Sequence, residues 1–270
     1  MQMGMVLQAL NDNRQVDVWE AASGRRTQER ATVLASAFIP EALKPALPDW
    51  TVAGRDHLLL LAYQQQFGDA IEVEAKCSAC GEKNQLAFTV SQILSTASPQ
   101  LSAAWDTAQS TLDTDAYLPA YHEVTFDGVA CRFRLPRIAD LMLLEQSDAM
   151  LFQFAQRVID PEGFQQLRVA LAEKENTGHA WEALFEQIEA QMLAHEPLSI
   201  VSLNAICPEC GAETLHQFDI ASQFWAQLSA SVEKQLWDVH LLASVYGWSS
   251  RDILAMSPAR RRRHIAMIIE

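Results

Sequence analysis

No stretch of this chain approaches the ~20 consecutive apolar residues that a membrane-spanning helix needs. Glycine is scarce, ten in 270 residues, and neither a Walker A sequence nor G-x-G-x-x-G occurs, which leaves little room for phosphate-cradling loops. Positive charge is short as well: 20 Lys and Arg stand against 34 Asp and Glu, a formal net charge of −14. That balance argues against a general binder of nucleic acid or anionic lipid, because both need basic surface to replace counterions. The N-terminus, Met1-Gln-Met-Gly-Met-Val6, lacks the basic and apolar regions of a signal peptide. The seven histidines show no H-E-x-x-H spacing, and none neighbours a serine in a G-x-S-x-G elbow. The remaining composition, 49% hydrophobic and 20% charged, is that of a globular protein with a substantial core. The expectation is a soluble, cytoplasmic protein that is not an enzyme.

What the chain does have is one unit written twice. Residues 77–90 begin Cys-Ser-Ala-Cys-Gly, and residues 207–220 begin Cys-Pro-Glu-Cys-Gly. Phe88 and Phe218 each stand eight residues after the second cysteine, and Val90 and Ile220 two further on. An alternating apolar run precedes each knuckle, Ala70 to Ala75 and Leu198 to Leu203, with Glu72 and Glu74 on the exposed face of the first. Two strand–knuckle–strand units can bring Cys77, Cys80, Cys207 and Cys210 to one tetrahedral zinc ion. A closed shell of four thiolates leaves no position for water, so the ion would be structural. The alternatives are a thioredoxin-type redox pair, an iron–sulfur centre, or plain buried cysteines. His216 is read as a surface or supporting residue and not a fifth ligand, and Cys131, standing alone, as a small core residue.

Around the knuckles the pattern is mixed. Helices are expected from Thr27 (as N-cap) to Phe38, from Gly54 to Phe67 with Gly68 closing it, and from Ile138 to Val158. Others are expected from Phe164 to Glu173, from Ala180 to Ala194 after a loop at 174–178, and from Phe224 to Gly247. Trp19 reads as the first core anchor, and residues 1–20 show no clear period. Arg55, Asp56 and His57 read as a solvated helix start. Ser91 to Thr114 reads as a polar stretch. His122 to Phe126 and Val129 to Leu135 alternate around Asp127-Gly128, a hairpin signal. Ser249 with Asp252, and Ser257 before Pro258, mark two last helix starts. The run Arg260 to Arg263 reads as a solvated face or a contact to an acidic partner before it reads as a nucleic-acid site. The fold class expected is α+β: a zinc ribbon from two sequence-distant knuckles, an inserted β-hairpin and helical region, and a helical C-terminal region. The corresponding segments are 1–95, 96–196 and 197–270.

Trp237-Asp-Val-His-Leu-Leu-Ala with Tyr246-Gly-Trp248, then Asp252-Ile-Leu-Ala-Met256, then Arg260 to Ile265, resembles a tail signature of phage assembly proteins. The nearest resemblance is to the baseplate hub assembly chaperones of T-even-type contractile phages and to related proteins of contractile injection systems. Gly54-Arg55-Asp56, Phe67-Gly68, the knuckles and Phe133-Arg-Leu-Pro136 resemble members of that group too. The resemblance implies a non-enzymatic assembly factor whose partners are baseplate hub or spike proteins. Trp237, His240, Leu241, Tyr246, Trp248 and Ile253 would be core or partner-contact positions, with Arg260 and Arg261 as further contacts. Two other readings stand beside it: a permanent structural component of the baseplate, and a zinc-ribbon nucleic-acid binder.

Overall fold

Local chemistry explains most element boundaries in the computed structural model, which describes residues 5–7, 9–106, 111–126, 128–143, 150–172 and 177–269. β1 (Met5–Val6) leads to α1 (Asp12–Ala22), whose N-cap Asn11 accepts from the Arg14 N–H. Apolar periodicity misses α1 because it buries only Gln15, Val18 and Ala22. Gln15 is a core residue held by Ser231 and Gln235, which donate to its Oε1. α2 (Thr27–Ser36) corrects the expected cap by one residue: Arg26 holds the N-cap position with no side-chain capping bond, its guanidinium pairing with Glu29, and Thr27 is already helical.

α3 (Val52–Phe67) lies at the centre, with every residue from Leu58 to Tyr63 buried. Thr51 caps it by accepting from the Gly54 N–H, and Gly68, at φ +94°, ends it. Its first turn is not solvated. Arg55 and His57 are 3% and 2% exposed. Arg55 donates to Asp56 and Gln28, each at 2.8 Å, and His57 Nδ1 lies 2.8 Å from the Tyr117 hydroxyl. Burial lowers the His57 pKa from 6.5 to about 4. The unfolded chain therefore takes up this proton first, so the stability it confers is whole above about pH 6.5 and is lost as pH falls towards 4. The full loss would be about 3 kcal/mol. Burial raises Asp56 against the pull of Arg55, which acts in the opposite sense at the acid end. The thermal midpoint should fall on acidification from about pH 7 to about pH 5, and His57→Gln should flatten that fall.

β2 (Ala70–Lys76) pairs antiparallel with β3 (Lys83–Thr89) in register from Ala70↔Thr89 to Lys76↔Lys83. The expected polar stretch from Ser91 is instead structured. It holds α4 (Val90–Leu94), capped reciprocally by Thr89 and Gln92, then α5 (Pro99–Ala104), β4 (Trp105–Asp106) and β5 (Thr111–Leu112). Ile93, Leu101, Ala104 and Leu112 enter the main core from it. β6 (Tyr121–Phe126) and β7 (Val129–Arg134) form the expected hairpin, with Phe126 opposite Val129 and Gly128 at φ +81°; Asp127 lies outside the described residues.

α6 (Ile138–Met142) ends at Leu143, inside the single helix expected over this stretch, and α7 (Met150–Val158) covers its later part; residues 144–149, Leu144 among them, lie outside the described residues. The two pieces serve different cores, Ile138 the main one and Ala155 and Val158 a second. Leu143 and Leu151, expected inside, are 57% and 45% exposed. α8 (Pro161–Ala172) and α9 (Thr177–His195) follow, the latter taking in Thr177 and Gly178, which the expected loop included; residues 173–176 are outside the described ones. Leu198 sits in a 3-10 turn and the main core, so β8 (Val201–Ile206) starts later than the alternation suggests, pairing with β9 (Glu213–Phe218). α10 (Ile220–Tyr246) starts at N-cap Asp219 and ends at Gly247, φ +68°. α11 (Ser250–Ala255) and α12 (Pro258–Ile269) begin at Ser249 and Ser257, as their caps foretell. No described helix is long and apolar enough to cross a membrane.

Two apolar clusters result. In the main one α3 packs on α10, with the rings of Phe38, Tyr63 and Phe67 around Phe224. In the second, the β6–β7 hairpin packs on α7, α8 and α9 through Phe133, Phe164 and Leu184. Cys131 is core there, as read. Gly163 lets α8 touch β7: a Cβ at that position would stand 2.4 Å from Cys131 Cβ. Gly163→Ala should cost about 2 kcal/mol, read as a lower denaturant midpoint with unchanged slope.

The buried pair Arg134–Asp140 fastens α6 to β7. Arg134 donates to both Asp140 oxygens, at 2.6 and 3.1 Å, and to the Arg157 carbonyl at 2.7 Å. Asp140 also accepts the Arg137 N–H at 2.7 Å. Burial alone would raise the Asp140 carboxyl, but the Arg134 bonds and the Arg137 N–H outweigh it and hold the pKa low.

Candidate metal centre

Each knuckle folds in the same way. The Gly81 N–H donates to the Cys77 carbonyl at 2.9 Å and the Cys77 N–H to the Glu82 carbonyl at 2.8 Å. Gly211 and Cys207 repeat both bonds at 2.9 Å, the second to Ala212. The turn needs a positive φ after the second cysteine, and Gly81 (+80°) and Gly211 (+71°) supply it. Phe88 and Phe218 meet edge-to-face, ring centroids 5.1 Å apart. The matched phenylalanines thus join the two hairpins.

The four sulfurs come together, all within 4.8 Å of one another. Cys77 Sγ lies 3.8 Å from Cys210 Sγ, and Cys80 Sγ 3.7 Å from Cys207 Sγ. A tetrahedron with ~2.3 Å metal–sulfur bonds has edges of about 3.8 Å. A disulfide would need about 2.05 Å. Cys77 and Cys207 are buried, whereas Cys80 and Cys210 lie at the surface.

The electrostatics favour a cation among them. The N–H groups of Cys210 and Glu209 pull Cys207 down to about 6, and those of Cys80 and Ala79 lower Cys77. Cys80 goes the other way: the Glu82 N–H favours its thiolate, but the sulfur of Cys210, burial, and the sulfurs of Cys77 and Cys207 together push it up to about 12. Four like charges this close ionise together only when a positive ion neutralises them. Asn84, 6% exposed, places its side-chain amide 3.7 Å from Cys207 Sγ, and its Nδ2 has no partner among the described residues. Turned about, that N–H would donate to a metal-bound thiolate, a support of the kind such ligands usually have. The donor set therefore fits a thiophilic divalent ion. His216 is not among the clustered donors; its Nε2 lies 2.8 Å from Thr214 Oγ1.

The C-terminal positions fall into three groups. Trp237 is 72% exposed and has His240, also exposed, against its edge at 5.9 Å. Tyr246 stacks on Trp248 at 4.5 Å with His264 edge-on to both, and Arg260 is exposed. Leu241 is half-buried, while Ile253 (0%) and Arg261 (3%) are interior. Arg261 is thereby corrected as a contact and removed from the solvated run: it pairs with Asp12 and Asp238, tying α12 to α1 and α10. Motif reading missed His264, which the α11 segment between α10 and α12 folds back onto Tyr246 and Trp248. It also missed the stacked pair His122–His195, 3.7 Å apart, which no local spacing announces.

No curated protein and no solved structure gives a significant match to the chain. The family model described as T4 bacteriophage base plate protein matches residues 31–225. That span holds both knuckles, α3 and the start of α10, and ends before the C-terminal residues that carried the resemblance to assembly chaperones. The chain belongs to the T4 bacteriophage base plate protein family.

Proposed function

We propose that the chain is a non-enzymatic, chaperone-like assembly factor for the baseplate or hub of a contractile tail or injection system, with one structural zinc ion. It would act in the cytoplasm, where thiols stay reduced. The single observation that carries this reading beyond family membership is the far half of α10. Leu236, Trp237, Val245 and Tyr246 are 40%, 72%, 54% and 38% exposed. Apolar side chains so displayed on one helix favour a surface that covers a partner's apolar face. Met267 and Ile269 on α12, 55% and 74% exposed, extend the supply of such groups.

A second reading, a permanent structural component of the baseplate, is equally compatible with the family description. Quantitative mass spectrometry of purified particles separates the two. The chaperone reading expects the chain in assembling lysate bound to hub or spike proteins and absent from finished particles. Stoichiometric presence in particles would sink it in favour of the structural role.

A further inference from the structure

A cavity of about 300 Å³ opens between α5, β6 and the end of α9. Its floor includes Glu196, 2% exposed, and its wall the stacked imidazoles of His122 and His195. Glu196 Oε1 accepts two backbone N–H groups, from Leu198 at 3.0 Å and Ser98 at 3.3 Å. Its Oε2 has no hydrogen-bond partner among the described residues, nor is that oxygen among the sealed, unsatisfied ones. A carboxylate so fixed by one oxygen presents the other to whatever enters. No lysine or arginine lines the cavity, and Leu118 at its rim is 45% exposed.

We propose that this cavity receives an arginine side chain presented by a partner protein. Charge selects the occupant: the only ionic group in the lining other than the two histidines is acidic, and the whole chain carries −14. Burial, and then the neighbouring His195, lower the pKa of His122. A neutral imidazole there is compatible with a cation and offers a ring nitrogen as acceptor. A guanidinium brings five donors in a plane to such acceptors and packs flat on rings, which an ammonium does not. Its methylene stem would lie along Leu118 and Pro99. The inference deepens the partner-binding reading by naming the chemistry one pocket takes, yet its test needs no baseplate protein. A failed search for hub partners and a failed arginine site would therefore be distinct results.

The test uses the full chain and two blocked tripeptides, acetyl-Gly-Arg-Gly-amide and its citrulline counterpart, which keeps the shape and loses the charge. The ring-proton NMR signals of His122 and His195, assigned with single His→Gln variants, are followed during titration. The arginine peptide should shift both signals saturably, and citrulline should bind at least about tenfold more weakly. Glu196→Gln, which keeps Oε1 as the acceptor for Leu198 and Ser98, should weaken the arginine peptide by a similar factor. Equal shifts with both peptides, no shift of either histidine, or full binding by a folded Glu196→Gln chain would overturn the proposal. Should that variant unfold, the citrulline comparison on the native chain decides alone.

Discussion

Cys77→Ser is expected to abolish the stable fold, yielding a metal-free chain that is aggregated or melts non-cooperatively. The native chain should carry about one zinc per molecule by elemental analysis. Binding in structural zinc sites contributes ~10–16 kcal/mol of apparent free energy, against a typical domain stability of 5–15 kcal/mol. Serine's oxygen is a poor substitute for a thiolate, and the remaining three sulfurs stand within 4.8 Å of one another with less charge to hold the ion. Cys207→Ser should do the same. Cys131→Ala, in the second core, should keep its metal and lose only the few kcal/mol of a trimmed core residue. A cooperative, metal-free Cys77→Ser chain would refute the site, and a purified native chain with a reducible disulfide would support the redox alternative.

Asp140→Ala should destabilise the chain by about 3–5 kcal/mol, because it strands Arg134 as a buried cation. Arg134 is 6% exposed and would keep only its carbonyl contacts to Leu135 and Arg157. Replacing both residues, Arg134→Met with Asp140→Leu, should restore much of the loss, since a buried ion pair contributes little against apolar groups of similar size. Chemical denaturation of the two variants provides the comparison. A double variant as unstable as Asp140→Ala would show that the pair fixes the α6 geometry by more than its charges.

The features legible in the sequence are those whose cause is local. The knuckles are written in a few adjacent residues, and so are the caps at Ser249 and Ser257 and the two-residue turn before Val129. The four-sulfur cluster was legible because the two units repeat. What escaped depends on covering segments far along the chain. His57 looks like a helix-start charge until Tyr117, 60 residues away, is placed over it. Arg261 looks like one member of a basic run until Asp12, 249 residues away, is placed beside it. α1 escaped because its interior position 15 is a glutamine, whose fitness for the core comes from Ser231 and Gln235. The apolar character of α10 is legible from Phe224 onward, but not which of its side chains are core: Phe224, Leu228, Val232 and Leu242 are buried while Trp237 and Val245 are exposed, a division set by segments far along the chain.

The pairing of knuckles also sets an order of events during synthesis. Cys77 and Cys80 leave the ribosome long before Cys207 and Cys210 are made, and at ~5–20 residues per second the wait is roughly ten seconds. Throughout it, the first hairpin offers two thiols with no second pair, and the six buried residues from Leu58 to Tyr63 lack the Phe224, Leu228 and Val232 that later cover their core. The nascent chain is thus a half-clasp beside an uncovered apolar helix. With a metal ion bound among the four sulfurs, its capture and core closure would fall together as the second knuckle and α10 emerge, and availability of the ion at that moment would govern yield more than its supply to the finished protein.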